Sequence, residues 1–353
     1  MTSRQHVDSK PASLPQVLVV GGNAGTWDAS ERAHESSVTS GIEAWVFATG
    51  GRYVCGRDVT PDIIARHDIV IMNLNAIAEP EQLSSVRRLA ENRPDHVHWM
   101  TLLEGDMKWY LKPLPHLREL FNASTFVNCI NIHAHDFIRS LTTSPVHTLG
   151  IPYPAAGVRA CATPRERRTR SVHICPFLRS RWNDYAVAKE LDAPIRGFER
   201  RQSLKWKTLA SNYRTTGSAL DRDANRKYVQ SIFHSPPVDI AYEMWFAEYY
   251  RHASASKLWL NLDDRFTWGR FVLDAAALGV PVISTASTGH APRLFPELTV
   301  QTPFDIAEAT RMAQRVLEDD AFSARVCEHA WEQLQEYAPK NMREKLWTIL
   351  EYA

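Results

Sequence analysis

At 353 residues the chain is long enough for two domains of the usual ~100–200 residues, and its 44% hydrophobic content supplies apolar surface for packed cores, which excludes disorder of the whole chain. Lys and Arg number 41 against 40 Asp and Glu, so the net charge of +1 by itself points to neither a nucleic-acid nor a membrane partner. No stretch approaches the ~18–20 apolar residues of a membrane span, the N-terminus lacks the apolar core of a signal peptide, and five scattered cysteines without C-x-x-C spacing read as reduced thiols, so a cytoplasmic protein is expected.

Val17 to Val20 is a short apolar run ending in Gly21-Gly22-Asn23-Ala24-Gly25, the pattern of a buried strand entering a tight turn. Similar runs recur at Glu43 to Phe47, Ile69 to Leu74, Val97 to Leu103, Phe126 to Ile130 and Val146 to Leu149, with helical patterns such as Glu81 to Glu91 between several of them. Continuous apolar strands alternating with amphipathic helices imply a parallel sheet covered on both faces. The segment from Gly150 to Gly157 carries two prolines and two glycines and suits an extended connection. Beyond it the alternation restarts. Strands are expected at Ser171 to Phe177, Pro194 to Phe198, Leu258 to Leu262 and Pro281 to Ser284. Helices are expected at Asn183 to Leu191, Ile240 to His252 and Phe271 to Leu278, then as a pair covering Asp305 to Tyr337, with a last helix from about Asn341 after a break at Pro339. Two Rossmann-like halves in tandem result. Their expected bounds are 1–152 for the N-terminal domain and 153–338 for the C-terminal domain, with 339–353 as a helix able to cross back to the first.

Charge is uneven along the chain. From Gly157 to Lys227 there are 17 Lys or Arg and 7 Asp or Glu, a local balance of +10. Within this stretch, residues 200–217 interleave Arg200, Arg201, Lys205 and Lys207 with Trp206 and Tyr213 and show no period, which reads as a long loop. Clustered cations beside aromatic surfaces suit phosphate contacts and flipped bases, so Arg201, Lys205, Trp206, Lys207 and Tyr213 are candidates for acceptor or DNA contact.

The stretch TWGRFVLDAAALGVPVIST, residues 267–285, opens a helix near Gly269. A glycine lets backbone approach a ligand, and free N–H groups at a helix start favour a phosphate. Thr267, Trp268, Gly269 and Arg270 are therefore donor-binding candidates, and Asp274, one turn further on, could accept sugar or ribose hydroxyls. Here the chain resembles the C-terminal halves of GT-B nucleotide-sugar glycosyltransferases, especially glycosyltransferase family 4: Gly269, Asp274-Ala275, Gly279 and Pro281-Val282 fall in register with the family motif, while Phe266 stands at its first acidic position.

That resemblance implies an α/β fold of GT-B type, two Rossmann-like domains facing a cleft, with Arg179 and Arg181 after the first strand of the second half neutralising the donor diphosphate. It also gives the Gly22 turn a place facing the cleft. The turn fails the G-x-G-x-x-G dinucleotide pattern, so NAD binding is not supported. Just past the strand at Val97 to Leu103, Glu104 and Asp106 stand where a carboxylate could deprotonate an acceptor hydroxyl, and a weaker likeness in layout to phage DNA β-glucosyltransferases favours Asp106 as the base. His133, His135 and Asp136 could bind a metal or contact the donor sugar, and Asp221-Arg222-Asp223 lacks the apolar strand that a metal-binding D-x-D needs. The resemblance thus implies sugar transfer from a nucleotide sugar, a UDP-sugar ahead of a GDP-sugar, to an acceptor hydroxyl, with no metal and no further cofactor required. A DNA-base glycosyltransferase, a nucleic-acid-binding module and a nucleotide-sugar epimerase of the same fold remain alternatives.

Overall fold

The computed structural model describes residues 14–22, 25–75, 80–104, 111, 113–174, 182–200, 238–244 and 246–351. The first sheet is built from β1 (Val17–Gly21), β2 (Thr26–Asp28), β3 (Arg52–Cys55), β4 (Ile69–Asn75), β5 (His98–Glu104), β6 (Phe126–Cys129) and β7 (Val146–His147). Its helices are α1 (Ala44–Thr49), α2 (Pro61–Ile64), α3 (Pro80–Glu91), α4 (Leu114–Ala123) and α5 (His135–Leu141). The strand order is β2-β3-β1-β4-β5-β6-β7, parallel throughout except that β2 runs antiparallel along β3. Alternate residues of the central strands enter different cores. Val17, Val19, Ile69 and Ile71 pack in one hydrophobic cluster, whereas Leu18, Val20, Val70 and Met72 pack in the other. Burial on both faces is why these strands read as unbroken apolar runs.

The second half runs through α6 (Ala155–Ala160), β8 (Thr169–Ile174), α7 (Trp182–Glu190), β9 (Ile195–Arg200), β10 (Val238–Met244), α8 (Phe246–Ala253) and β11 (Ser256–Asn261). It continues with α9 (Arg270–Leu278), β12 (Val282–Thr285), α10 (Ala291–Leu294), β13 (Thr299–Val300), α11 (Ile306–Glu318), α12 (Asp320–Leu334) and α13 (Pro339–Ile349). Its strand order, β10-β9-β8-β11-β12-β13, is the doubly wound 3-2-1-4-5-6 arrangement, all parallel. Such sheets bind ligands at the carboxyl ends of the strands where the order reverses, here between β8 and β11. The corresponding reversal in the first sheet lies between β1 and β4.

Two expected elements differ, and α6 begins at Ala155, inside the segment expected as an extended connection. Glu43 to Phe47, expected as a strand, belongs to α1, since a short apolar run fits a buried helical turn as well as a strand. Ile240 to His252, expected as one helix, is the end of β10 followed by α8.

The chain crosses between the halves twice. At the first crossing Gly150 has φ +90° and its N–H donates to Asn128 Oδ1 at 3.1 Å, and Tyr153 N donates to the Tyr337 carbonyl at 2.7 Å. After that second crossing point α13 packs against α1 of the first half. A cavity of about 560 Å³ lies between the two crossings, lined by His147, Leu149, Glu336, Glu344, Lys345 and Thr348 among others.

Candidate active site

The carboxyl ends of the two sheets meet. From the first, Glu104 ends β5; from the second, Arg270 begins α9, and Arg270 Nη2 donates to Glu104 Oε1 at 2.6 Å. Both side chains stay partly exposed, at 26% and 29%. Asn73 Nδ2 also donates to Glu104 Oε2, at 3.4 Å. Beyond β6, Asn131 Nδ2 donates to the Phe266 carbonyl at 2.7 Å, and His133 Nε2 donates to the Ala286 carbonyl at 3.0 Å. These bonds set the Nε2–H form of His133 and bring the loops after β6, β11 and β12 together.

The loop between β11 and α9 is braced from within. Asp263 accepts from the Arg265 backbone and guanidinium, its own carbonyl accepts from Ser287 Oγ at 2.7 Å, and Asn261 Nδ2 reaches Ser284 Oγ at 2.9 Å and Thr288 Oγ1 at 3.2 Å. Thr267 forms a parallel bridge with Thr288, and Gly289 N donates to the Thr267 carbonyl at 2.9 Å. Gly269 closes the loop at φ +86°, a left-handed conformation that costs an L side chain roughly 1–2 kcal/mol. Space alone would require glycine, because a Cβ there would stand 2.5 Å from Thr288 Cγ2.

α9 is polarised across the second half. Gly269 has no side chain with which to cap its start, and Arg270, the first residue of the helix, pairs with Glu104. At the other end Arg159 donates to the carbonyls of Ala276 and Ala277, and Arg168 to those of Leu278 and Gly279. Cations on the last carbonyls and the positive end of the helix dipole at its start together favour an anion at the cleft end.

The expected site residues divide accordingly. Thr267, Gly269 and Arg270 stand in the cleft loop. Gly22 follows the carboxyl end of β1, and a Cβ there would meet nothing within 4 Å, whereas at Gly21 it would meet Tyr53 Oη at 2.5 Å; packing demands glycine at 21 and leaves open space at 22. Trp268 is 6% exposed and lies edge-to-face with His290 and Tyr337. Asp274, expected to accept ligand hydroxyls, is 3% exposed and accepts from Tyr153 Oη at 2.6 Å, which ties α9 to the domain crossing. Asp106, Arg179, Arg181, Arg201, Lys205, Trp206, Lys207 and Tyr213 lie outside the described residues. His133 and His135 do not converge, since His135 turns to Asp136 and the Val146 carbonyl, and no group of three or more His, Cys, Asp or Glu among the described residues could hold a metal ion. Burial lowers the pKa of His290 to about 3 and, independently, that of His173 to about 3, so both imidazoles are neutral props of the core.

Sequence reading missed the Tyr153–Asp274 and Asn131–Phe266 bonds and the capping arginines Arg159 and Arg168. Their partners lie 110 or more positions away, so local pattern carries no trace of them.

The sequence matches no protein-family model and no curated protein. Solved structures do match. An α,α-trehalose 6-phosphate synthase from Burkholderia multivorans superposes with a TM-score of 0.65 at 8% identity, covering 96% of this chain and 97% of that one. The chain has the GT-B fold. A sucrose-phosphate synthase from Thermosynechococcus elongatus gives 0.64 at 13% identity over 96% and 98% of the two chains. An α-glucosyltransferase in complex with UDP and a 13-mer DNA gives 0.59 at 12% over 96% and 100%. No described helix is long and apolar enough to cross a membrane.

Proposed function

We propose that this GT-B protein is a glycosyltransferase that moves a sugar from a UDP-sugar to an acceptor hydroxyl. The observation that carries the reading is the start of α9 at Gly269, with Arg270 beside it, set at the strand-order reversal of the second sheet and facing the carboxyl ends of the first. The similar structures named above include one that holds UDP, which supports uridine as the base.

In the reaction the bond from the anomeric carbon to the diphosphate oxygen breaks and a bond from that carbon to the acceptor oxygen forms. The acceptor proton leaves to a base, a role assigned from sequence to Asp106, and UDP departs with the electron pair of the broken bond. The N–H groups at the start of α9, Arg270, Arg179 and Arg181 stabilise the charge that develops on the diphosphate. Glu104 holds Arg270, and the diphosphate competes with it for the guanidinium. Asp274 acts one step back, by anchoring α9 to Tyr153.

DNA is the second reading for the acceptor, favoured by the likeness to a DNA-bound α-glucosyltransferase and by the +10 balance of residues 157–227. Part of that balance is structural: Arg159 and Arg168 cap α9, and Arg165 pairs with Asp320.

Calorimetric titration with UDP and UDP-glucose tests the main reading. Wild type should bind UDP, and Arg270→Ala should weaken binding by ~1.5–3 kcal/mol, the range for a charge-assisted hydrogen bond. A folded wild type that binds no uridine nucleotide refutes it.

A further inference from the structure

Phe266 occupies the position where the family motif carries an acid, and the structure makes a surface of that departure. Phe266 is 51% exposed, in the loop between β11 and α9. Its backbone is held from both sides, by Asn131 Nδ2 on its carbonyl and by the bridge of the next residue, Thr267, to Thr288. The ring meets that of His133 edge-on, with centroids 5.1 Å apart at 71°. Ile132, from the same loop of the first domain, is 58% exposed and lies over Gly289, where an added Cβ would stand 3.1 Å from Ile132 Cγ2. Two apolar side chains from opposite domains therefore share one corner of the cleft.

That corner lies close to the start of α9. Phe266 precedes Gly269 by three residues, a stretch of chain that spans at most ~10 Å, so a group attached to a phosphate at the helix start reaches the ring. A carboxylate at this position accepts hydrogen bonds from hydroxyls. A phenyl ring accepts none, and a hydroxyl closed against it loses water without gaining a partner.

Resting on the reading that the start of α9 holds the UDP diphosphate, we propose that Phe266 and Ile132 form an apolar wall that selects a donor whose sugar lacks a hydroxyl on the side facing them, a deoxy sugar. The preference over the fully hydroxylated sugar is on the order of 10–100-fold, the range over which an apolar pocket rejects a hydroxyl. Phe266 acts here as a specificity residue for the sugar and leaves nucleotide capture to α9.

The test compares UDP, UDP-glucose and the 3-, 4- and 6-deoxy analogues of UDP-glucose by calorimetric titration, each sugar nucleotide expressed as a ratio to UDP on the same protein. Wild type should bind at least one deoxy analogue ~10-fold or more tighter than UDP-glucose. Phe266→Asp should move the ratio by a similar factor toward UDP-glucose, and the neutral Phe266→Asn serves if the aspartate variant does not fold. Equal ratios for UDP-glucose and all three analogues in wild type overturn the proposal, as does a ratio that neither variant moves. Failure of UDP itself to bind wild type is seen separately, and it removes the diphosphate reading together with the selection built on it.

Discussion

Replacing Gly269 by alanine probes the cleft loop through two separable costs. The backbone cost follows from φ +86° and amounts to roughly 1–2 kcal/mol for a residue with a Cβ. The packing cost follows from the 2.5 Å between that Cβ and Thr288 Cγ2, against an optimum of ~3.5–4.0 Å for two carbons, and overpacking of this kind typically costs ~1–3 kcal/mol. Gly269→Ala should therefore lower the unfolding free energy by about 2–5 kcal/mol in urea titrations. Thr288→Ser deletes Cγ2 and keeps the hydroxyl that Asn261 Nδ2 reaches at 3.2 Å. Combining the two changes should restore the packing part and leave only the backbone part, a coupling of ~1–3 kcal/mol. In the same variants UDP affinity should fall for Gly269→Ala, because the helix start shifts, and recover in part in the double variant. If the two substitutions prove additive within ~0.5 kcal/mol, Thr288 is not what the Cβ strikes and the account of this loop fails.

Tyr153→Phe removes one donor from the buried Asp274 carboxylate and should cost ~1.5–3 kcal/mol in chemical unfolding; a cost near zero would mean the bond does not anchor α9. His290 and His173 stay neutral in the folded protein down to about pH 3, while in the unfolded chain they take up protons below their ordinary value of about 6.5. The unfolded state binds more protons in that window, so stability should fall as pH drops from ~6.5 toward ~3, by up to ~1.4 kcal/mol per pH unit for each imidazole. His290→Gln should make the decline shallower by about one proton, and an unchanged slope would show that His290 is not buried neutral. Asp106→Asn should cut turnover by ~10²–10⁴ with donor affinity nearly intact, and a full-rate variant excludes Asp106 as base. If residues 200–217 contact DNA, binding should weaken steeply between ~50 and ~200 mM salt, and neutralising Arg200, Arg201, Lys205 and Lys207 should flatten that slope by about one unit per lost contact; no binding at low salt leaves the acceptor among other molecules.

The legible parts of this molecule are those set by local rules. Gly269, Gly279 and Pro281 punctuate one helix between two buried strands, and each is required by conformation or chain direction within a few residues, so α9 and its flanks could be read directly. Local ambiguity produced the two misreadings. Ala44 to Thr49 is too short for its period to separate helix from strand, and Val238 to Met244 alternates apolar residues at every second position but runs straight into the helical pattern of α8. The site itself is assembled from contacts between residues 121 to 166 positions apart, as for Tyr153 with Asp274 and Glu104 with Arg270, and such pairings follow from the closed fold rather than from spacing. Phe266 was visible as an exception to a motif, yet that it shares a corner with Ile132 and His133 depends on where the opposite domain falls.

The two crossings of the chain confine how this fold can open. One tether would let the halves swivel in any direction, but here the segment at Gly150 to Tyr153 and the return at Tyr337 run side by side and are joined by a backbone hydrogen bond. A pair of fastened straps acts as a door hinge: twisting one half against the other would shear that bond, whereas rotation about a line through both straps leaves it intact. The cavity beside the straps gives α13 room to tilt during such a swing. Opening should then part Glu104 from Arg270 at the far lip while Tyr153 and Tyr337 barely move, so that access to the cleft tracks a single angular coordinate.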